Sequence, residues 1–372
     1  MSFKEIFCQD RAIDMLQRAF ASDRWAHAYI FGGPEGVGKF KTAREWAKLL
    51  LCKTPLTEAG LADSCGSCES CRLFEADSHP DFNHVYKELL EFTEDGKGKT
   101  TPVDLPIDVI REFLIAKVSR RPTLSQRKVF IVSEAERLNA SSQNCLLKVL
   151  EEPPEYCSIV LLCTRLEQLL PTTRSRCQIV RFGPIDEGKI IEKLRGVGLE
   201  GKRAQYFARL AQGSLGMACQ WAQLELADAN LYKTKTWLVD SLARYEFADA
   251  LNLAEAILVE TKKIATLWAG IDKNTSKTDI NRKALRTIVR IVISLLQDVM
   301  KRNVNAAAES VNFDQAGQIE NLAARFDAEQ AAEKISECYR ALSRIDSSVN
   351  EKLIFEQFLL GFADSDTIQV PR

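Results

Sequence analysis

Nothing in the 372-residue chain approaches the roughly 18-residue apolar run of a membrane-spanning helix. No membrane partner is therefore expected. An excess of charge of one sign is lacking too. Fifty basic residues stand against 51 acidic ones, a formal net charge of -1, so no global positive field draws the chain to nucleic acid or lipid. Any nucleic-acid contact must come from local patches or through partner subunits. The opening Met1-Ser2-Phe3-Lys4-Glu5 leads into polar sequence without a signal-peptide core, which makes cytoplasmic residence the default expectation. No internal repeat is visible.

Cysteine is not scarce: there are eleven. Seven are scattered singly, often in apolar runs such as those around Cys145, Cys163 and Cys219, and read as buried thiols. A disulfide framework is not expected in a reducing compartment. The chain is 46% hydrophobic and 27% charged, a globular composition, and its length suits two or three domains.

Helices and strands alternate in the first half. Asp10 is placed as an N-cap before Ile13, Leu16 and Phe20 at helical spacing. A short strand over His27–Phe31 runs into Gly32-Gly33-Pro34-Glu35-Gly36-Val37-Gly38-Lys39, and a helix with Ala43, Trp46, Ala47 and Leu50 follows. Residues 52–84 read as an inserted loop module and 92–106 as a polar excursion. A helix over Asp108–Val118, a strand over Lys128–Val132 and a helix over Ser141–Leu150, stopped by Pro153-Pro154, come next. Further strands are expected over Ser158–Cys163 and Gln178–Phe182. Such alternation predicts an α/β domain with a parallel sheet covered on both faces. From Asp186 to about residue 365 the pattern is helical. A wide apolar face through Ala284, Leu285, Ile288, Ile291, Val292, Leu295, Leu296 and Val299 marks a central helix of a bundle.

The stretch from Gly33 to Lys39 has the spacing of a phosphate-binding loop, and it lies between strand and helix as that reading requires. Glycines let backbone N–H groups close around phosphate oxygens; the helix N-terminus and Lys39 add positive charge. The next residue should carry a hydroxyl for magnesium, but it is Phe40. Thr42 lies roughly 200° around the helix axis and cannot replace it. A second metal ligand, an acidic residue closing the Val129–Val132 strand, is replaced by Ser133, with Glu134 next to it. Two losses at one metal site favour a hydrolytically dead site, and magnesium is not expected. Whether ATP still occupies the loop stays open.

Cys65-x-x-Cys68-x-x-Cys71 follows Cys52. Four thiolates satisfy tetrahedral zinc and leave no position for a substrate, so a structural zinc site is favoured over free thiols. His79 and His84 are near, but His79-Pro80 reads as a turn. Thr172-Thr173-Arg174-Ser175-Arg176-Cys177 is either a solvated basic turn or an arginine finger.

His27-Ala28-Tyr29 before the loop, the cysteine insertion and His79-Pro80-Asp81 form a pattern with the residues Asn144 to Pro154 and Ser175-Arg176-Cys177. The set resembles the AAA+ subunits of the bacterial DNA polymerase III clamp loader over about residues 1–220. Ile345-Asp346-x-x-x-Asn350-x-Lys352-Leu353 resembles the end of that family's collar. The resemblance implies an AAA+ P-loop domain (1–183, zinc insertion about 52–71), a small helical lid (184–227) and an all-α collar for oligomerisation (228–372).

Two subunit types share these features. The motor type keeps a full ATPase site, while the delta-prime type keeps the fold and often has a degraded one. Phe40, Ser133 and Gly216, where the motor type would carry a nucleotide-sensing arginine, push toward delta-prime. By the same resemblance Gly33, Gly36, Val37, Gly38, Lys39, Phe40 and Thr164 line the nucleotide position, Thr164 as sensor 1. Arg176 is then a finger completing a neighbouring subunit's site. The expected partners are other clamp-loader subunits in a hetero-oligomeric ring within the polymerase III holoenzyme, with the sliding clamp and primer-template DNA reached through the assembly. The alternative is an active AAA+ motor using Glu134. A zinc-dependent nucleic-acid-binding module is disfavoured by the near-neutral charge.

Overall fold

The structure, a computed structural model, describes residues 2–94, 96, 104–273, 275–305, 308–347 and 349–362. These form two compact units, one of residues 2–185 with 213–216 and one of 186–212 with 217–362. Of the excursion expected at 92–106, residues 95 and 97–103 lie outside the described residues.

The first unit is built on a five-stranded parallel sheet. It begins with helix α1 (Asp10–Ala21), strand β1 (Ala28–Gly32) and helix α2 (Lys39–Leu51). An antiparallel hairpin, β2 (Leu56–Glu58) and β3 (Leu61–Asp63), and helix α3 (Glu69–Glu75) follow. Strand β4 (Phe82–Val85) returns to the main sheet. A helical stretch runs from Ile107–Ile110 through a π-helical segment at Arg111–Ile115 to Ala116–Val118. Then come β5 (Lys128–Val132), α4 (Ala140–Glu151), β6 (Cys157–Cys163), α5 (Pro171–Ser175) and β7 (Gln178–Arg181). The strand order is β4-β5-β6-β1-β7, which inserts β6 between the loop-bearing β1 and β5.

Every residue of β1, β5 and β6 is buried, which is why these strands read as unbroken apolar runs rather than alternating ones. Tyr29, Phe31, Val129, Ile131, Val160 and Leu162 pack on one face with Leu16 of α1 and Ala43 and Trp46 of α2. Ile30, Phe130, Val132, Ile159 and Leu161 pack on the other with Val109, Leu114, Leu146 and Leu150.

Three local expectations are corrected. Asp10 is the first helical residue of α1, and Gln9 takes the cap position without a side-chain cap bond. Gln9 instead donates its amide to Val37 O at 3.1 Å and Gly183 O at 3.0 Å. α4 starts at Ala140, because Asn139 accepts the Ser142 N–H and caps the helix. The inserted module ends before Phe82: β4 is short and mixed in polarity, and its parallel pairing with β5 makes it a strand.

The second unit is helical. Its helices are α6 (Glu187–Gly196), α7 (Gly201–Leu210), α8 (Leu215–Leu226, from Met217 on), α9 (Leu231–Ala243) and α10 (Ala250–Ile271). α11 (Lys277–Val304), α12 (Ala316–Arg325), α13 (Ala328–Asp346) and α14 (Glu351–Leu360) complete it. α11 is central and packs against α10, α12 and α13. All eight residues of its expected apolar face are buried. No helix of the described residues is long and apolar enough to cross a membrane.

His79-Pro80-Asp81 proves to be architectural. Asp81 is fully buried, and its carboxylate accepts the backbone N–H groups of Thr123, Leu124 and Ser125 at 2.6, 2.8 and 2.8 Å. Its own N–H donates to His79 Nδ1 at 3.1 Å, and His79 Nε2 is bonded to Ser70 Oγ at 2.9 Å. Asp81→Ala strands three backbone donors away from their acceptor. It should cost about 3 kcal/mol in denaturant unfolding; a loss below about 1 kcal/mol would show that water replaces the carboxylate without penalty.

Candidate functional site

The phosphate loop leaves the sheet at the carboxyl end of β1. Gly32 pairs with Cys163 on one side and Arg181 on the other, and the Gly33 N–H donates to Cys163 O at 3.1 Å. The chain passes so close to β7 that a Cβ on Gly33 would stand 2.3 Å from Phe182 O. Gly36 and Gly38 take positive φ of 73° and 104°, which glycine adopts at no steric cost. Val37 is buried beneath the loop.

Lys39 opens α2 and is buried; its Nζ donates to the loop's own carbonyls, Gly33 O at 2.5 Å and Pro34 O at 2.6 Å. Burial lowers the affinity of the amine for its proton, and the Glu136 and Glu35 charges oppose that effect. The far wall of the loop is also closed. Gly216 N–H donates to Gly36 O at 2.7 Å, and a Cβ on Gly216 would lie 2.9 Å from Gly36 Cα. No side chain, arginine included, fits at that position while this contact holds.

The two residues that break the metal pattern are brought together. Phe40 packs its ring against His84, centroids 4.8 Å apart, and His84 packs in turn on Tyr86 at 4.7 Å. His84 Nε2 is hydrogen-bonded to Ser133 Oγ at 2.8 Å. An imidazole thus bridges the positions at which a hydroxyl and a carboxylate would hold magnesium. Thr42 points its hydroxyl back to Gly38 O at 3.0 Å. Glu134 has a left-handed backbone and is ion-paired with Arg137 at 3.1 Å and Lys87 at 3.6 Å. Glu136, two residues further, accepts the Thr164 N–H at 3.2 Å and also the Thr164 hydroxyl. A groove of about 770 Å³ beside the loop is lined by Gln9, Arg11, Gly33, Thr164 and Arg181 among others.

Arg176 caps the end of α5. It pairs with Glu151 at the end of α4 (2.7 Å), donates to Thr172 O at 2.9 Å, and its side chain is 35% exposed. The glutamate-proline and Ser-Arg-Cys motifs therefore meet in space. Neighbouring Cys177 is pushed up to about 12 by burial and stays a neutral thiol.

Cys52, Cys65, Cys68 and Cys71 converge, and their sulfurs lie within 4.8 Å of one another. Three of the separations are 3.6, 3.9 and 4.0 Å. Backbone N–H groups of Cys65, Cys68 and Cys71 point at the sulfurs of Cys52, Cys65 and Cys68. At Cys65 burial raises the pKa, but the donors from Thr54, Ser67 and Cys68 outweigh it and bring the thiol down to about 5. This set could hold a metal ion. Neither His79 nor His84 joins it.

Sequence reasoning missed His84, Tyr86 and Glu136. The first two enter the site through β4, a strand the sequence pattern did not show. Glu136 carried no signal, being one acidic residue among several after β5.

A parallel sheet in this order, with a phosphate loop on its interior strand β1, defines an AAA+-type P-loop domain, and an all-helical unit follows it. Two family models match, "DNA polymerase III, delta subunit" over residues 8–186 and "DNA polymerase III, delta subunit, C terminal" over residues 275–364. The chain belongs to the delta-prime family of the bacterial DNA polymerase III clamp loader. The delta-prime subunit of Bacillus subtilis is 30% identical over 61% of this chain and 63% of its own length. That of Escherichia coli is 28% identical over 83% of this chain and 80% of its own. A solved gamma-subunit-related protein from Thermotoga maritima covers 93% of this chain and 97% of that one, with 18% identity and a TM-score of 0.42. The match spans less than two thirds of the length of the first curated relatives.

The His84 cluster makes acid stability a test of its packing. Burial, with the Arg44 charge second, pushes His84 from 6.5 down to about 4. Between those values the unfolded chain takes up a proton that the folded chain refuses. The contribution of a neutral His84 is therefore complete above about pH 6.5 and is lost as the pH falls toward about 4. Denaturant unfolding across that window should show wild type losing more stability than His84→Gln. Parallel curves would mean that His84 titrates as if exposed.

Proposed function

We propose that this chain is a non-hydrolysing, stator-like subunit of the DNA polymerase III clamp loader. In this reading it helps load the sliding clamp during replication and supplies Arg176 to a neighbouring ATPase subunit. The observation that carries the reading is the Phe40–His84–Ser133 cluster. It fills the two magnesium-holding positions with a phenyl ring, an imidazole and a bonded serine hydroxyl. A motor subunit needs that ion to neutralise charge on the transferred phosphoryl group. Lys39 bonded to its own loop and Gly216 pressed on Gly36 add to the case. Magnesium has no place here, and the loop is a remnant cradle for a nucleotide at most.

Arg176 suits a finger. Its guanidinium is part-exposed on a short helix, oriented by Glu151, and an arginine so placed can leave a carboxylate for a phosphate. The division into a lid at 184–227 and a collar at 228–372 belongs to the same proposal. So do a cytoplasmic location and a hetero-oligomeric ring, through which the chain reaches the clamp and primer-template DNA. The competing motor reading needs a free Glu134, and that residue is held by Arg137 and Lys87.

ATP turnover separates the two readings. The isolated chain should be inactive with magnesium, and Arg176→Ala should slow the assembled loader about a hundredfold or more, as expected when a finger is removed. Magnesium-dependent turnover by the isolated chain would overturn the proposal, as would a fully active Arg176→Ala assembly.

The cysteine cluster is proposed to hold one structural zinc. Tetrahedral zinc with Zn–S bonds of about 2.3 Å sets its sulfurs about 3.8 Å apart, close to the separations found. Metal analysis should give about one zinc per chain, and a chelator should lower the melting temperature. Metal-free protein with the same stability would refute the assignment.

A further inference from the structure

Glu136 is an acidic side chain near the loop that neither expected metal position uses. It follows β5 by four residues, beyond the position where a magnesium-binding carboxylate would stand. Its carboxylate takes both donors of Thr164, the N–H at 3.2 Å and the hydroxyl. Thr164 comes directly after β6, and the residue before it, Cys163, accepts the Gly33 N–H at the start of the phosphate loop. The same carboxylate is the foremost acidic charge acting on the buried Lys39. One anionic group thus takes both a hydroxyl and a backbone N–H of the residue that follows β6, beside the start of the loop.

Anionic oxygens that accept from a hydroxyl and a backbone N–H describe a phosphate as well as a carboxylate. We propose that Glu136 stands in for the terminal phosphate of a nucleoside triphosphate, satisfying Thr164 from within the chain. It acts as a specificity-determining residue. A nucleoside triphosphate would have to bring its terminal phosphate up against a fixed carboxylate and compete with it for Thr164. A diphosphate carries no group into that corner. This inference rests on the non-hydrolysing reading and adds a separate claim, that the chain's own charge discriminates against the third phosphate.

The test is the affinity of the full-length chain for ATP and for ADP by isothermal titration calorimetry, with EDTA to remove divalent cations. Glu136→Gln keeps the shape and removes the charge. It should bind ATP about tenfold tighter than wild type or better, because a like charge a few ångströms away at low effective dielectric is gone. ADP affinity should change less than about threefold. Adding Thr164→Val should abolish the gain for ATP, since the freed hydroxyl is what the phosphate then meets. Glu136→Ala must show the same preference, and it serves in place of Glu136→Gln if thermal unfolding shows the latter to be misfolded. An equal gain for both nucleotides, or none, overturns the proposal. Magnesium-dependent turnover by wild type is read separately, and it would overturn the non-hydrolysing assignment while the ATP-over-ADP comparison still judges Glu136.

Discussion

The carboxyl edge of the parallel sheet is the constraint on which the candidate site depends. Parallel strands all point their chain ends the same way, so the residues after β1, β4, β5 and β6 are delivered to one edge. Gly33, Tyr86, Ser133 and Thr164 become neighbours for that reason alone, although they are spread over more than a hundred residues. Burial on both faces fixes the register, because a one-residue slip in β5 or β6 would exchange the two hydrophobic layers. The scaffold is thus set by apolar burial, which is indifferent to what the strand ends carry. A site can lose its metal ligands there and leave the sheet untouched.

The losses are filled rather than merely absent. Phe40 puts a ring where an oxygen is expected, and the ring stays 37% exposed at the sheet edge. It packs on His84, which packs in turn on Tyr86. His84 also takes up the Ser133 hydroxyl. Lys39 and Glu134 follow the same logic, since each charged group has found a partner inside the chain. Unpaired charges beside a hydrophobic sheet would carry a desolvation cost of several kcal/mol, and internal pairing offsets it.

The parts of this arrangement that were legible in the sequence are those set by local pattern. Continuous apolar runs marked β1, β5 and β6; glycine spacing marked the loop; cysteine spacing marked the thiol cluster, which the structure brings together. What stayed hidden depended on pairing. Phe82-Asn83-His84-Val85 has neither alternation nor an apolar run, and it is a strand only because β5 offers it an edge. With β4 unread, the insertion is drawn out to residue 84, and His84 is noted only for being near the cysteines. Its true neighbour is Phe40, 44 positions earlier. Helix starts went astray for a related reason. Gln9 is drawn to the backbone at Val37 and Gly183, tertiary contacts that no local capping rule contains.

Arg176 stands before β7, at the amino edge of the sheet, and differs from the charged groups around the loop in one respect. Lys39 is buried by its own loop and Glu134 is held by two cations, but Arg176 has a single part-exposed carboxylate partner, Glu151. A surface pair of this kind contributes between about 0 and 1 kcal/mol. The guanidinium can therefore be drawn from Glu151 at small cost by any stronger bidentate acceptor, and a phosphate is one. A chain whose own phosphate loop is closed by internal bonds carries this weakly held positive charge outside that loop. That asymmetry is the physical basis for proposing that it acts in another subunit's chemistry.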